Sequence, residues 1–153
     1  ALNSLYKSLS IPEDSSDKED WGTAKDNASR SLGQIMKYHS ASIDLNTCFS
    51  NWLINLPIIY DDLESGEQHE LLCDFVLNKA EFSYGENLKN LHKIVSIFAK
   101  VYASKKFTTP EVDEKIKQIA NSWKQNPNIF SLIENIMKSS DAKTSKKIKK
   151  MFE

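Results

Sequence analysis

The sequence predicts an all-α fold, a right-handed α-solenoid of three to four helix pairs, from three observations. Apolar residues recur three or four positions apart almost throughout, and no segment has the alternating pattern of a convincing strand. Glycine and proline number only four each in 153 residues, so residues that form tight turns are scarce. The candidate helices follow one another as pairs, and successive pairs begin about 40–43 residues apart, which is typical of helical repeats.

The first pair is predicted over residues 1–38. Its first helix is the short apolar segment 2–9, and its second helix, 23–38, begins with Thr23 as the cap. Between them, residues 12–20 (PEDSSDKED) contain five acids, one lysine and no apolar anchor, so we expect a flexible acidic loop. The second helix turns one apolar stripe toward the core, formed by Ala24, Ala28, Leu32, Ile35 and Met36.

The second pair is predicted over residues 44–79. Its first helix, 45–56, ends before Pro57, because proline cannot continue the hydrogen-bond ladder of a helix. Its second helix, 66–79, is expected to begin after Ser65, since a serine followed three positions later by a glutamine forms a capping box.

The third pair is predicted over residues 87–125. Its second helix, 110–125, opens with Thr109 as the cap and Pro110 at the first helical position, where a missing N–H costs nothing. Its first helix, 88–103, has the strongest apolar stripe in the chain: Leu88, Leu91, Ile94, Val95, Phe98, Val101 and Tyr102.

A C-terminal capping pair is predicted over residues 128–153, with helices at 128–138 and 141–152. Between positions 138 and 150 there are six lysines and a single acid, Asp141. This stretch is expected to be a solvated helix that covers the end of the core, and a basic interaction tail is the alternative. Stacked helix pairs with this period are the HEAT-type architecture, and we expect one such domain over residues 1–153.

Composition excludes several classes of protein. Twenty basic and 21 acidic residues give a formal net charge of −1, which argues against a dedicated nucleic-acid binder. The longest apolar stretch, residues 49–60, is far shorter than a membrane span, and no secretory signal opens the chain. Cys48 and Cys73 lie in apolar helical patterns and are expected to be buried reduced thiols of an intracellular protein, although one disulfide stays open. A chain that begins with alanine is expected to be a fragment or a processed product.

Catalytic patterns are weak, so we expect no enzyme activity, no metal and no cofactor. No nucleotide-binding or nucleophile motif occurs. His69 and Cys73 stand one helical turn apart with Glu70 beside them, which superficially resembles a zinc-protease motif but offers no third ligand. A core cysteine beside a surface histidine is the preferred interpretation, and a zinc-dependent hydrolase is the third alternative. A cluster of loop acids is expected to cap the following helix: Asp61, Asp62 and Glu64.

Protein binding fits the pattern better than catalysis. In a solenoid of helix pairs the second helices line the concave surface, and here their polar faces are rich in acids and amides. Carboxylates pair with the Lys or Arg side chains of a basic peptide, and amides hold its backbone. The candidate partner-binding residues are Asp26, Asn27, Arg30, Gln34, Glu67, Glu70, Asp74 and Asn78. The alternative is a solvated face stabilised by pairs such as Asp26 with Arg30. Trp52 and Trp123 fall on core stripes, whereas Trp21 is available to a partner.

Four segments in register resemble the C-terminal region of β-karyopherins (the importin-β superfamily), particularly the importin-five branch. They are KDNA followed by SLGQIMK at 25–37, WLINLPI at 52–58 with an acidic loop after it, LCDFV at 72–76, and GENLKNLHKIVSIFA at 85–99. Glu86 and His92 stand where that branch has proline, and we expect them to lengthen the helix at 88–103 by a turn.

The resemblance implies the C-terminal HEAT repeats of a nuclear transport receptor, found in the cytoplasm, in the nucleus and at the nuclear pore. Such receptors bind cargo proteins through basic localisation segments and contact FG-nucleoporins through apolar grooves between outer helices. They release cargo on binding the Ran GTPase, which in this family is gripped chiefly by upstream repeats outside this sequence. No membrane and no direct nucleic-acid contact is implied. A HEAT-type scaffold or adaptor unconnected with transport is the alternative function.

Overall fold

The computed structural model of the protein describes residues 2–10 and 18–153, and the side chains from residue 20 onward in the second range. All regular structure in these two ranges is helical, which confirms the all-α prediction. None of these helices is both long and apolar enough to cross a lipid bilayer. The α-helices are α1 (Leu2–Ser10), α2 (Lys18–His39), α3 (Leu45–Asn55), α4 (Asp62–Asn78), α5 (Ala80–Tyr84), α6 (Leu91–Val101), α7 (Pro110–Gln125), α8 (Pro127–Ser139) and α9 (Ala142–Lys150); two short 3-10 helices span Ser40–Ser42 and Glu86–Leu88.

The chain divides into two compact units, Ala1–Leu71 and Leu72–Glu153, and the boundary falls within α4. In the first unit α1 packs on α2 and α3, and α2 packs on α3. Apolar residues at helical spacing supply the core between these helices, including Leu32 and Met36 from α2 and the contacting rings of Phe49 and Trp52 from α3. Cys48 is fully buried in this core as a free thiol, as the sequence predicts.

In the second unit α6 packs on α8 and α9, while α8 also packs on α7 and α9. The ring of Trp123 joins these helices, because its centroid lies 6.1 Å from that of Phe98 and 6.4 Å from that of Phe152. Phe98 and Trp123 are buried, which confirms their place in the predicted core stripes. Cys73, the other predicted core thiol, is also buried and is not part of a disulfide.

The second helix of the first predicted pair begins earlier than predicted. α2 starts at Lys18, so Thr23 lies inside the helix and is not its cap. The predicted acidic loop is therefore wrong for residues 18–20, and residues 12–17 lie outside the described ranges. Acidic side chains near a helix N-terminus are stabilised by the helix dipole, and the loop interpretation overlooked this.

The predicted start of the second helix of the second pair is also wrong. α4 starts at Asp62, and the carboxylate of Asp61 accepts the N–H groups of Leu63 and Glu64 at 3.1 and 3.2 Å. The predicted cap, Ser65, is buried within the helix, where its hydroxyl donates to the carbonyl of Asp62. The expectation that these loop acids help to begin α4 is confirmed at Asp61.

The helix that carries the strongest apolar stripe begins three residues later and ends two residues earlier than predicted. α6 runs from Leu91 to Val101, so the expected lengthening at positions 86 and 92 is wrong. The chain instead forms the short helix α5 and then the 3-10 turn, inside which Asn87 has φ 54°. Apolar spacing cannot reveal such a turn, because Leu88 keeps the helical register of the stripe while its own φ is 57°.

The starts of α7, α8 and α9 are predicted to within one residue, and each of these helices has a side-chain cap. α7 spans Pro110–Gln125 as expected, and the hydroxyl of Thr109 accepts the N–H of Val112. Asn126 caps α8 and Asp141 caps α9 in the same way. Capping donors and acceptors are local in sequence, which is why these boundaries are readable from residue types alone.

Candidate functional site

A polar ladder joins α2 and α4 in the first unit and contains three of the predicted partner-binding residues, Arg30, Gln34 and Glu67. Arg30 forms an ion pair with Glu64, and Lys37 contacts Glu67 with 3.4 Å between Nζ and Oε1. A hydrogen bond from Gln34, followed by Lys37, lowers the pKa of Glu67 below its usual range. The predicted acidic face is thus present, but its carboxylates already have cationic or amide neighbours within the chain.

Asp26 does not lie on an open face. Its side chain is only 4% exposed, and one carboxylate oxygen accepts the backbone N–H groups of Ile59, Tyr60 and Asp61 at 3.1, 2.6 and 3.1 Å. Burial raises the pKa of this carboxyl, and the three N–H groups act in the opposite direction. Asp26 therefore anchors the loop between α3 and α4, and we leave it out of the proposed partner surface. Its neighbour Asn27 is exposed on α2.

The other predicted residues lie on α4. Glu70, in the first unit, is half-buried. In the second unit, Asp74 accepts a hydrogen bond from Lys115 of α7, with 2.6 Å between Nζ and Oδ1, and Asn78 is exposed at the end of α4. Lys115 of α7 thus neutralises Asp74 of α4. In the same way, Arg30 of α2 neutralises Glu64 in the polar ladder of the first unit.

The predicted surface histidine is wrong. His69 is fully buried, and its Nε2 accepts the N–H of Ile58 at 3.1 Å, so this nitrogen holds the loop after α3. No group of three or more metal-ligating side chains occurs within residues 2–10 and 18–153. The role that the structure assigns to His69 is therefore structural, and it parallels the role of Asp26 on the other side of the same loop.

An apolar groove lies between α6 and α8 in the second unit, and sequence reasoning did not locate it. The groove encloses about 420 Å³. Its apolar lining is Leu88, Leu91, Leu132 and Ile136, and its polar rim includes His92 and Asn135. Leu132 is 42% exposed at this groove, and Ile133 beside it is the buried residue of α8.

The turn before α6 shapes one wall of this groove. The backbone N–H of Asn90 donates to the carbonyl of Tyr84, and its side-chain amide donates to the carbonyl of Ser83. These two bonds hold the chain in the left-handed conformation at Asn87 and Leu88. A non-glycine residue rarely adopts this conformation unless its surroundings enforce it. The sequence signal for this wall is the segment 85–90 (GENLKN), in which every residue except Leu88 is glycine or polar.

A second, smaller groove of about 320 Å³ lies between α4–α5 and α7 in the same unit. Trp123 and Tyr84 form its buried floor, and Nε1–H of the indole donates to the phenol oxygen at 2.7 Å. Burial raises the pKa of Tyr84 above its usual value. Leu77, 40% exposed, stands at its edge.

No protein-family model matches this sequence.

Proposed function

We propose that this chain is part of a nuclear transport receptor of the β-karyopherin type, in which its helix pairs belong to a right-handed HEAT-type solenoid. The observation that carries the proposal is the apolar groove between α6 and α8, the first helices of two successive pairs. This is the kind of place where such receptors take the phenylalanine rings of FG-nucleoporins. Cargo and Ran-dependent release would involve repeats outside this sequence as well.

The packing of each unit supports a solenoid of pairs. In stacked helix pairs, first helices contact first helices and second helices contact second helices. The first unit has α1 against α3 and the polar ladder between α2 and α4, and the second has α6 against α8 and the Asp74–Lys115 contact between α4 and α7. The last helix departs from this pattern, because α9 packs on α6 as well as on α8. Such a departure fits a helix that closes the end of a stack.

The chemistry of the groove suits a phenylalanine followed by glycine. Burying one aromatic ring contributes about 1.5–3 kcal/mol, so a single groove would bind weakly and release quickly. Polar side chains at the rim, such as His92 and Asn135, can meet the backbone groups that flank the ring. Weak, repeated contacts of this kind permit rapid movement through a pore lined with many FG repeats.

We expect Leu132→Glu to reduce binding of an FG-repeat peptide at least tenfold. The substitution places a carboxylate at the mouth of the groove, where the ring would have to desolvate it. Because Leu132 is already 42% exposed, the fold should change little. Binding is measured by NMR titration of the ¹⁵N-labelled chain with a peptide containing several FG repeats.

Two matched variants complete this test. Leu63→Glu changes a 93% exposed leucine of α4 in the first unit, and Leu77→Glu changes the edge of the smaller groove. The first should leave FG binding unchanged. If Leu132→Glu binds as well as the unmodified chain, the α6–α8 groove is not an FG site, and loss of binding in Leu77→Glu would move the site to the smaller groove.

The polar ladder offers a separate test of cargo binding. If its carboxylates meet a basic localisation segment, the cargo cation and Lys37 compete for Glu67. We therefore expect Glu67→Gln to weaken binding of a basic peptide two- to fivefold and Lys37→Gln to strengthen it, since exposed ion pairs contribute about 0.2–1 kcal/mol. Fluorescence anisotropy measures both. Changes of the same sign, or none, would exclude the ladder as a cargo surface.

The intrachain ion pairs favour one alternative function, a HEAT-type scaffold or adaptor unconnected with transport. Arg30 and Asp74, two of the predicted cargo-binding residues, instead form the ion pairs Arg30–Glu64 and Asp74–Lys115, which join neighbouring second helices. A scaffold needs such contacts between its helices and has no need of an FG groove. The Leu132→Glu experiment separates the two functions, because only the transport receptor requires FG binding.

A further inference from the structure

Charge is distributed very unevenly between the two units. Residues 1–71 carry five basic and twelve acidic side chains, a net charge of −7, whereas residues 72–153 carry fifteen basic and nine acidic, a net charge of +6. The overall value of −1 therefore conceals a strongly basic second unit. Net charge of this size creates a surface potential that selects partners of opposite sign and speeds their association.

The positive charge is concentrated on one face of α9. Four lysines at helical spacing, Lys143, Lys146, Lys147 and Lys150, form a stripe opposite the buried side of the helix, where Ile148 packs into the core. They line a cavity of about 430 Å³ together with Glu153. We call these four residues the lysine stripe.

The lysine stripe continues toward α6. Lys143 and Lys147 also line a second cavity of about 320 Å³, to which Lys100 of α6 contributes. The hydroxyls of Ser96 and Thr144 in this cavity already donate, to the carbonyl of His92 and to Asp141 respectively. The ammonium groups are therefore the hydrogen-bond donors that these two cavities offer to a ligand.

Two acidic side chains lie beside the lysine stripe, Glu153 at the first cavity and Asp141 at the second, and together the two cavities present five lysines against them. Asp141 caps α9 by accepting the N–H groups of Lys143 and Thr144, and hydrogen bonds from Thr144 lower its pKa. Over the part of the chain that the structure describes, no ion pair involves any lysine of the stripe. Several like charges held on one concave surface attract an anionic partner more strongly than isolated ones.

We propose that the lysine stripe and Lys100 form a docking surface for an extended acidic protein segment. From Lys143 to Lys150 the helix rises about 10.5 Å, at 1.5 Å per residue. Alternate side chains of an extended peptide are about 6.4–6.8 Å apart, so two or three carboxylates can face the lysine stripe at once. Nucleic acid and membrane fit less well: neither cavity is lined by an aromatic ring for base stacking, and the stripe carries no apolar side chain for insertion.

The test measures binding of a fluorescent (Glu-Ser)₅ peptide to the full chain by anisotropy at two salt concentrations. We expect Lys143→Gln, Lys147→Gln and Lys150→Gln together to weaken binding at least tenfold. The matched control, Lys89→Gln, Lys105→Gln and Lys117→Gln, removes the same charge from exposed lysines elsewhere in the second unit and should weaken binding less than threefold. All six positions are exposed, and circular dichroism checks that both variants stay folded.

Two outcomes would overturn the proposal. Equal weakening by the two triple variants would show that the peptide responds to net charge and not to the lysine stripe. Tighter binding of a single-stranded oligonucleotide, or of vesicles with anionic lipids, at the same ionic strength would assign the surface to a different class of partner. A basic peptide of equal length serves as the negative probe and should not bind this surface.

Discussion

Replacing Phe98 by alanine is expected to destabilise the second unit by about 3–5 kcal/mol, the range observed when a buried aromatic ring is deleted. Phe98 is fully buried on α6, and its ring lies 6.1 Å from that of Trp123 on α7. Its loss leaves a cavity where α6 and α7 meet, and the surrounding helices cannot refill it without moving the indole.

Chemical denaturation followed by fluorescence measures this change, because the packing of Trp123 gives a signal from the same cluster. Two control variants define the scale. Phe98→Leu keeps most of the volume and should cost less than about 1.5 kcal/mol. Leu63→Ala, at a 93% exposed position, should stay within about 0.5 kcal/mol. An unchanged transition for Phe98→Ala would contradict the placement of this ring in the core.

Replacing Asp26 by alanine is expected to destabilise the first unit by about 2–4 kcal/mol, since it removes the only acceptor seen for three backbone N–H groups in the described structure. Exchange of the amide hydrogens of Ile59, Tyr60 and Asp61 should accelerate in this variant. Asp26→Asn keeps an oxygen in the same position and should preserve most of the protection. If exchange at these three amides does not change in Asp26→Ala, the carboxylate does not hold the loop.

The contribution of Asp26 to the stability of the folded chain should change with pH in a defined direction. The pKa of Asp26 is raised in the folded state because burial disfavours its ionised form. The folded chain therefore takes up this proton more readily than the unfolded chain, and the associated stability is complete below the unfolded pKa and lost as pH rises through the folded pKa. Relative to Asp26→Asn, which cannot ionise, the unmodified chain should become more stable as the pH is lowered toward 4.

Helix ends show how far local sequence reaches. The start of α7 is predicted to the residue because a threonine cap and a proline at the first position act within one turn. The start of α6 is not, because the turn at Asn87 depends on bonds from Asn90 back to Ser83 and Tyr84. Apolar spacing reports which face is buried and is nearly silent about where the helical backbone begins.

Gly33 illustrates a contact that no local pattern reveals. A side chain at this position of α2 would collide with the amide of Gln68, whose oxygen accepts the indole N–H of Trp52 at 3.1 Å. The glycine allows α2, α3 and α4 to approach one another around this buried hydrogen bond. Residues 33, 52 and 68 lie on three different helices, so only the folded chain brings them together.

For the candidate partner-binding surface, too, part could be predicted from the sequence and part depends on the folded structure. The acids and amides of α2 and α4 can be assigned to polar helix faces from spacing, yet Asp26 turns inward and Glu64, Glu67 and Asp74 have partners within the chain. Whether a polar side chain is available depends on residues 30 or more positions away, such as Arg30 for Glu64 and Lys115 for Asp74.

The sequence by itself determined the helical class, the main apolar stripes and most capped helix ends, because these depend on interactions within one or two turns of helix. Tertiary structure alone decided the inward roles of Asp26 and His69, the groove between α6 and α8, and the two cavities that the lysine stripe of α9 lines. The physical reason is that burial and pairing are properties of neighbours in space, and in helix pairs those neighbours are about one or two helices away along the chain.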